Sequence, residues 1–392
     1  MKSEIDLKKY HFFNLPQPRT KKDYQNACDL TVNQLKQYPE VKSVYLSGSR
    51  WQLGISDIDI LAIFHDQPIK DIDKFAPWDL PEKAKFFFTH SYGKYNQQFF
   101  ENLSYAVTDK NQERLKLLYG QPISLHSPIQ ELNQNDYQFL NAVIIFDFLI
   151  NKLLIYPKVL WLQKIDVRRQ LVLLHSLTYT LEVAEVLNHR KFGQDFISDI
   201  KNLRGDWFNQ NQPDNLKELI RLSVQGIELI LEIVRELTDF VEKKSLSQNK
   251  DLIFKNRQYY IVFDPAWHQE KFLDWFKKGY LCFRNPFSGQ LRENFKLILP
   301  VPLSYFLIAY AEANGTFSQL VRQHSKNYQS INLSLNQGVS KHIQALNQLV
   351  KDSIKQNGLL NTPFPYGFLL KKQGLVSQLG DWLMLFLRLF KR

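Results

Sequence analysis

The spacing of apolar residues predicts a helix and two short strands in the first part of the chain. Apolar side chains recur at helical spacing between about residues 19 and 37. Residues 41–46 form a β-rich run that ends in three small residues, 47–49, which suit a tight turn. A second β-rich run follows at residues 58–64. These signals predict the order helix, strand, turn, strand.

The next stretch has weaker and competing patterns. Residues 66–81 contain three prolines and are predicted to be a loop with at most a short helix. Two runs, 85–92 and 99–108, compete for the next strand, and the pattern leaves their order in a sheet open. Residues 111–119 are predicted to form a helix that ends at Gly120. The first part of the chain therefore reads as an α/β unit with a mixed sheet.

Long helical patterns begin at about residue 136. Helices are predicted at residues 136–156, 166–189 and 214–241. The last helix has an apolar stripe at helical period, formed by Leu216, Ile220, Ile227, Ile230, Val234 and Leu237. Such a stripe has to pack against neighbouring helices, which predicts a helical bundle.

The last third of the chain mixes strand and helix signals. Residues 251–264 resemble a hairpin, because polar residues separate two β-rich runs. Helices are predicted at residues 303–313 and 340–356, each followed by an Asn-Gly pair. Residues 379–392 are apolar with a basic end, and packing in a core or against a partner subunit explains them better than a membrane surface.

A chain of 392 residues is longer than one ordinary domain. We therefore predict an α/β domain at residues 1–130, a helical bundle domain at 131–245, and a mixed, mostly helical region at 246–392. The hydrophobic fraction of 44% argues against disorder. The chain is thus expected to fold throughout.

Charge and cysteine content narrow the functional class. The formal charge of +11 favours anionic partners such as triphosphates, RNA or acidic lipid, without choosing between them. Cys28 and Cys282 are the only cysteines, too few for a disulfide framework or a thiolate zinc site. The first residues do not resemble a signal peptide, and no apolar run is long enough for a membrane span. We expect a cytoplasmic protein, and an oligomer remains open.

Two aspartates at the start of the second strand carry the clearest chemical signal. Asp57 and Asp59 are two residues apart, so their side chains point to the same face of an extended chain. Two carboxylates held close together keep their charges most easily when a cation lies between them, and their hard oxygens suit Mg²⁺ or Mn²⁺. The spacing predicts a divalent metal site. The alternative is a solvated polar turn, which gives no reason for the turn of small residues nearby.

The small-residue turn supplies the complementary feature. Around Gly48 the backbone N–H groups are free of bulky neighbours and can approach phosphate, and Ser49 adds a hydroxyl donor. Arg50 and Ser56 are candidates for further contacts to phosphate oxygens, and Trp51 for a contact to a base. We therefore expect a nucleoside triphosphate to lie between this turn and the aspartates.

The segment GSRWQLGISDIDI, residues 48–60, resembles the motif of polymerase-beta-like nucleotidyltransferases: Gly-Ser, a spacer, then Asp-x-Asp and a hydrophobic residue. The resemblance implies that Gly48 and Ser49 bind the triphosphate and that Asp57 and Asp59 ligate magnesium. It also implies a third carboxylate on a later strand. The motif covers about a dozen residues. The predicted order of helices and strands is compatible with the family up to roughly residue 128.

The third carboxylate has no clear match in the sequence. Glu101 is our preferred candidate, because it lies in phase with the apolar residues of the predicted strand 99–108. Asp109 is the second candidate, although it also suits the N-cap of the helix predicted to follow. If neither serves, the domain binds nucleotide but transfers poorly.

We predict a metal-dependent nucleotidyltransferase that moves a nucleoside monophosphate from an NTP to a hydroxyl or phosphate acceptor. A small molecule, a protein or an RNA end would suit this domain equally well. A degenerate nucleotide-binding or regulatory module, as in toxin-antitoxin or defence systems, is the alternative. A weaker one is a HEPN-type RNase, because Arg168 or Arg169 followed by His175 resembles the arginine-histidine element of that family.

Overall fold

The computed structural model describes a mixed α/β protein. The described residues are 5–48, 52–65, 75–107, 114–142, 144–145, 149, 163–188, 190–244, 252–255, 260–263, 296–299, 337–338, 340–342, 344–345 and 348. Among them, no helix is both long and apolar enough to cross a lipid bilayer.

A four-stranded mixed sheet organises the first part of the chain. Its strands are β2 (Val41–Ser47), β3 (Asp59–Phe64), β4 (Gly93–Asn96) and β5 (Lys116–Gly120), in the order β4-β3-β2-β5. β2 is antiparallel to both β3 and β5, whereas β4 is parallel to β3. The predicted strands 41–46 and 58–64 are thus confirmed as the two central strands of the sheet.

One face of this sheet is covered by α1 (Lys21–Leu35), which confirms the helix predicted at 19–37. Thr20 and Asp23 form a reciprocal capping box at its start. The residues that α1 buries lie on one side at helical spacing: Tyr24, Ala27, Cys28, Thr31 and Leu35. Tyr24, Ala27, Cys28 and Leu35 join a core with Ile58, Ile60 and Ala62 of the β3 segment. This packing holds the start of β3 against a rigid helix.

Neither of the two runs that compete for the next strand, 85–92 and 99–108, forms it, because β4 lies between them. Residues 85–92 are not a strand, because α2 (Glu82–Lys85) and turns precede β4. In the second candidate run, the described residues belong to the short helix α3 (Gln97–Glu101) and a 3₁₀ turn. Aromatic residues favour strands only where a pleated surface is there to receive them. Here they fill the second face of the sheet instead.

The helix predicted at 111–119 is also wrong where the structure describes it. Lys116–Gly120 form β5, an edge strand that pairs with β2 from Ser43 to Leu46. The apolar run is too short to distinguish helix from strand by periodicity, and pairing with β2 decided its conformation. Gly120 ends this strand with a positive φ of 87°.

The helical region contains three packed helices: α6 (Val167–Asn188), α7 (Gln194–Gly205) and α8 (Gln212–Lys244). α6 and α8 confirm the helices predicted at 166–189 and 214–241, whereas α7 was not predicted. Before them lie α4 (Pro128–Glu131) and α5, a helix described at residues 134–142, 144–145 and 149. The described part of α5 agrees with the helix predicted at 136–156.

A two-stranded parallel ribbon connects the N-terminus to the helical region. β1 (His11–Phe13) pairs with β6 (Lys164–Asp166), which leads directly into α6. Asn14 strengthens the junction, because its side chain donates to Asp166 and its carbonyl accepts from the backbone N–H of Arg168. The start of α6 is thereby held beside the α/β domain.

The predicted hairpin at 251–264 is confirmed by antiparallel β7 (Leu252–Lys255) and β8 (Tyr260–Phe263). A further strand, β9 (Lys296–Leu299), is parallel to β8. Residues 337–338, 340–342, 344–345 and 348 are helical and form part of a helix, α9, in agreement with the prediction at 340–356. The predictions at 303–313 and 379–392 lie outside the described residues.

Candidate metal centre

Asp57 and Asp59 converge at the start of β3. Asp59 is the first residue of the strand and pairs with Ser47, the last residue of β2. A carboxylate oxygen of each aspartate and a ring nitrogen of His90 all lie within 4.8 Å of one another. This separation is suitable for ligands of one divalent ion. The predicted pair of aspartates is therefore one side of a three-residue cluster.

His90 contacts both carboxylates through the same nitrogen. Its Nε2 lies 2.8 Å from Asp59 Oδ1 and 3.7 Å from Asp57 Oδ2. On the other side of the ring, Nδ1 lies 2.7 Å from the carbonyl oxygen of Ser91. The hydroxyl of Thr89 donates to Asp57 Oδ2. Sequence reasoning missed His90, because no spacing rule links it to two aspartates about thirty residues earlier.

The three side chains of the cluster differ in their exposure to solvent. The side chain of Asp57 is 8% exposed, whereas that of Asp59 is 42% exposed and that of His90 48%. Asp57 thus forms the floor of the site, and the other two residues form its rim. A small ion or an anionic ligand can reach the three groups from the rim side.

The three groups shift one another's proton affinities. Burial, followed by the negative charge of Asp59, raises the pKa of Asp57 above its ordinary range, against the opposing effects of His90, Thr89 and Arg168. Burial alone would lower the pKa of His90, but its hydrogen bond to Asp59 and the charges of both aspartates raise that pKa to about 9. Positive charge at this position therefore stabilises the two carboxylates.

The bend at Gly48 lies beside Asp59. Gly48 has a φ of 104°, a backbone conformation that residues with a Cβ rarely adopt. A Cβ built at this position would be 3.7 Å from Asp59 Oδ2. The predicted arrangement of a small-residue bend next to the aspartates is present in the backbone. Ser49, Arg50 and Trp51 lie outside the described residues, so their predicted contacts stay predictions.

The loop that carries Asp57 is held by α1 and by the backbone of the N-terminal segment. The Tyr24 hydroxyl donates to the carbonyl of Ser56 at 2.8 Å and accepts from the N–H of Gly54 at 3.1 Å. Gly54 has a φ of 79°, and a Cβ there would be 2.1 Å from the carbonyl oxygen of Gln17. Glycine is therefore required at position 54.

Two buried arginines from the helical region hold the same loop. Arg168 of α6 donates to the carbonyls of Ile55 at 3.0 Å and Ser56 at 3.2 Å, and also to the carbonyl of Phe86. Its guanidinium lies 4.0 Å from the ring centroid of Phe86. Because Phe86 precedes the segment with Thr89 and His90, Arg168 joins the two chain segments that form the cluster.

Ser56 is occupied within the fold, whereas we had predicted a contact to phosphate. Its Oγ accepts from the backbone N–H of Gln52 at 2.9 Å and from Arg204 of α7 at 2.9 Å. The residue is 9% exposed. Ser56 therefore orients the loop before Asp57 and is a poor candidate for direct phosphate binding.

Glu101 is not part of the metal cluster, which among the described residues consists of Asp57, Asp59 and His90. It ends α3, its carboxylate accepts from Gln97 at 2.7 Å, and its carbonyl accepts from the N–H of His126. Glu101 was a candidate for the third carboxylate because it was expected to lie on a strand, whereas it lies in α3. Asp109 lies outside the described residues.

The arginine-histidine element on α6 does not form an exposed site. Arg168 is 2% exposed, and Arg169 lies on the solvent side. Burial and the nearby charges of Arg204, Lys201 and Arg114 lower the pKa of His175 to about 3. Its Nδ1 is buried without a hydrogen-bond partner among the described residues. Arg168 and the ring of His175 are thus integrated in the interior, whereas Arg169 is not.

Comparison with known proteins leaves the chain without a relative from which function can be transferred. No family model, curated protein or solved structure matches it. Function therefore has to be inferred from the cluster itself and from the motif that contains Gly48 and both aspartates.

Proposed function

We propose that this chain is a metal-dependent nucleotidyltransferase that moves a nucleoside monophosphate from an NTP to an acceptor hydroxyl or phosphate. The observation that carries the proposal is the convergence of Asp57 and Asp59 beside the positive-φ bend at Gly48. A motif gains weight when its residues meet in space: the carboxylates of Asp57 and Asp59 do so, and Gly48 lies beside Asp59.

Asp57 and Asp59 are the residues that would hold Mg²⁺ or Mn²⁺, and the oxygen ligands suit either ion. When bound, the metal would neutralise charge on the phosphates and orient the attacking and leaving oxygens. Asp57, the more buried of the two, would hold the ion from the interior, and the half-exposed Asp59 would hold it from the solvent side.

The backbone near Gly48 is the proposed triphosphate cradle. The bend has no side chain at position 48 and lies against Asp59, so phosphate oxygens can approach backbone N–H groups and the ion together. The motif assigns Ser49 and Arg50 to the same cradle. A small molecule, a protein or an RNA end is a suitable acceptor for this chemistry.

The test follows transfer of the α-phosphate. The full chain is incubated with each NTP labelled at the α-phosphate, with Mg²⁺ or Mn²⁺, alone and with cell extract. We expect label on an acceptor fraction, and an Asp57→Asn, Asp59→Asn variant to transfer at least about a hundredfold less. Asp29→Asn is the matched control, because Asp29 is an exposed carboxylate on α1 that contacts only Gln25 in the hydrogen bonds described. Equal transfer by both variants would exclude the proposed mechanism.

A second candidate is a nucleotide-binding or regulatory module that has lost transfer. One observation favours it: His90, not a carboxylate, completes the cluster with the two aspartates, and Glu101 lies elsewhere. This candidate predicts that NTP binds with a dissociation constant that the Asp57→Asn, Asp59→Asn variant weakens, while no label reaches any acceptor.

The RNase alternative receives no support from the helical region. Arg168 is buried and its donors are directed to three backbone carbonyls, so it does not contact RNA in this conformation. An RNase would require cleavage that survives the Asp57→Asn, Asp59→Asn substitutions. Incubation of end-labelled RNA with the wild-type protein and with that variant tests this directly.

A further inference from the structure

We propose that His90 is a third protein ligand and that the centre prefers a divalent transition-metal ion such as Mn²⁺ over Mg²⁺. This inference rests on the proposed function for the metal between Asp57 and Asp59. It adds a ligand that neither the motif nor the family pattern contains, and it specifies the class of ion.

The orientation of the imidazole supports ligation through Nε2. Nδ1 faces the carbonyl oxygen of Ser91 at 2.7 Å, and a carbonyl can only accept, so Nδ1 carries the hydrogen. Without metal, the protonated ring donates from Nε2 to Asp59, and Nε2 is the atom directed at both aspartates. A metal ion would replace that proton and bind the lone pair of Nε2. Metal-binding histidines are commonly oriented by such a hydrogen bond from the second nitrogen.

The donor set argues for the class of ion. Mg²⁺ prefers oxygen ligands and retains several waters, whereas an imidazole nitrogen binds divalent transition metals more strongly. Two carboxylates and one imidazole therefore favour a transition metal over Mg²⁺. A third carboxylate at position 90 would remove that preference, because all three protein donors would then be oxygens.

His126 shows how an ordinary histidine–carboxylate pair differs. Its Nδ1 lies 3.0 Å from Glu131, and its side chain is 47% exposed, almost the same as for His90. Glu131 also accepts from Tyr105 and from the N–H of Ser127. No second carboxylate joins this pair among the described residues. His126 is therefore a matched control for the loss of a half-exposed histidine.

The experiment detects nitrogen bound to the metal. Full-length, tag-free protein without nucleotide is loaded with Mn²⁺, and electron spin echo envelope modulation is recorded for ¹⁴N coupling. Binding constants for Mn²⁺ and Mg²⁺ are measured on the same samples. We expect ¹⁴N modulation and Mn²⁺ binding at least about tenfold tighter than Mg²⁺ binding.

Three variants separate ligation from other effects. His90→Ala is expected to lose the ¹⁴N modulation and to bind Mn²⁺ about tenfold or more weakly. His90→Asp is expected to lose the modulation but still to bind both ions, with a smaller ratio of Mn²⁺ to Mg²⁺ affinity. An unfolded variant would bind neither ion. His126→Ala is expected to keep both the modulation and the wild-type preference.

The possible failures are distinguishable. If Mn²⁺ binds but shows no ¹⁴N modulation, or if His90→Ala retains it, the ligand assignment is wrong while the metal site at Asp57 and Asp59 stands. If neither ion binds, or if Asp57→Asn, Asp59→Asn leaves both binding constants unchanged, the metal-dependent function itself is wrong. Equal affinity of the wild-type protein for the two ions overturns the proposed preference.

Discussion

The start of β3 and the first turns of α6 each place a histidine near charged groups, with opposite results. At the start of β3, His90 lies between two carboxylates, is half-exposed and has a pKa raised to about 9. On α6, His175 lies near arginines and a lysine, is buried at Nδ1 and has a pKa lowered to about 3. Both regions contain a short motif, but only one brings its groups together at a solvent-accessible point.

The difference shows what turns a short motif into a candidate site. Asp57, Asp59 and His90 share one opening, so one ligand can contact all of them. Arg168 and His175 are separated along a helix, and the arginine is already used to hold the loop of the first site. Among the described residues, the helical region thus contributes to the candidate metal centre by supporting the loop that carries Asp57.

The sharpest test of this comparison is Arg168→Met beside Arg169→Met. Loss of Arg168 leaves buried carbonyls with fewer donors, so we expect a loss of about 3 kcal/mol or more in the free energy of unfolding. Arg169 is exposed, and its substitution is expected to cost less than about 0.5 kcal/mol. Chemical denaturation measures both values. Similar losses for the two variants would contradict a supporting role specific to Arg168.

Arg168→Lys sharpens the same point. A lysine has one ammonium in place of a fork of five donors, so it cannot contact the carbonyls of Ile55, Ser56 and Phe86 in the same way. We expect it to recover only part of the stability lost in Arg168→Met. Full recovery would mean that charge alone, without the fork of hydrogen bonds, holds the loop.

The pKa of His175 predicts acid sensitivity of the helical region. Below pH 6.5, the ordinary pKa of histidine, His175 is protonated in the unfolded chain. In the folded protein it stays neutral down to about pH 3. The free energy of unfolding should therefore fall by a few kcal/mol for this residue as pH decreases from 6.5 towards 3. His175→Gln should remove that part of the pH dependence.

Denaturation curves at closely spaced pH values, in the presence of a chelator, measure the effect. His126→Gln is the control, because His126 is half-exposed and paired with Glu131. In His126→Gln, the free energy of unfolding should still show the decrease at low pH that is due to His175. A His175→Gln profile parallel to that of the wild type would show that His175 is not held neutral by its surroundings.

Tyr24→Phe gives the smallest expected effect. It removes the hydroxyl that contacts the Ser56 carbonyl and the Gly54 N–H, at a cost of about 1 kcal/mol in the free energy of unfolding. Because these contacts orient the loop that carries Asp57, the affinity for metal should also fall, by roughly threefold. Tyr92→Phe is the control: its hydroxyl contacts Thr31 and Gln34, away from that loop. Metal affinity that falls equally in both variants would contradict the prediction.

Regular elements with strong periodicity were predictable from the sequence, and short aromatic segments were not. The helices α1, α6 and α8 and the strands β2 and β3 follow from patterns that recur over many residues or alternate cleanly. Residues 99–108 and 116–120 were assigned to the wrong element, because the neighbouring sheet decided where their apolar side chains pack. Glu101 was a candidate for the third carboxylate because of the strand considered at 99–108. Its position at the end of α3 does not support that role.

Within the site, the sequence by itself determined the pairing of Asp57 with Asp59 and the bend at Gly48. A two-residue spacing on an extended chain and a residue without a Cβ are local properties, so they need no knowledge of the fold. Tertiary structure alone decided that His90 joins the aspartates, that Ser56 faces inward and that Arg168 holds the loop. Arg168 and Ser56 are 112 residues apart, and such contacts arise only when packing of the whole chain brings distant segments together.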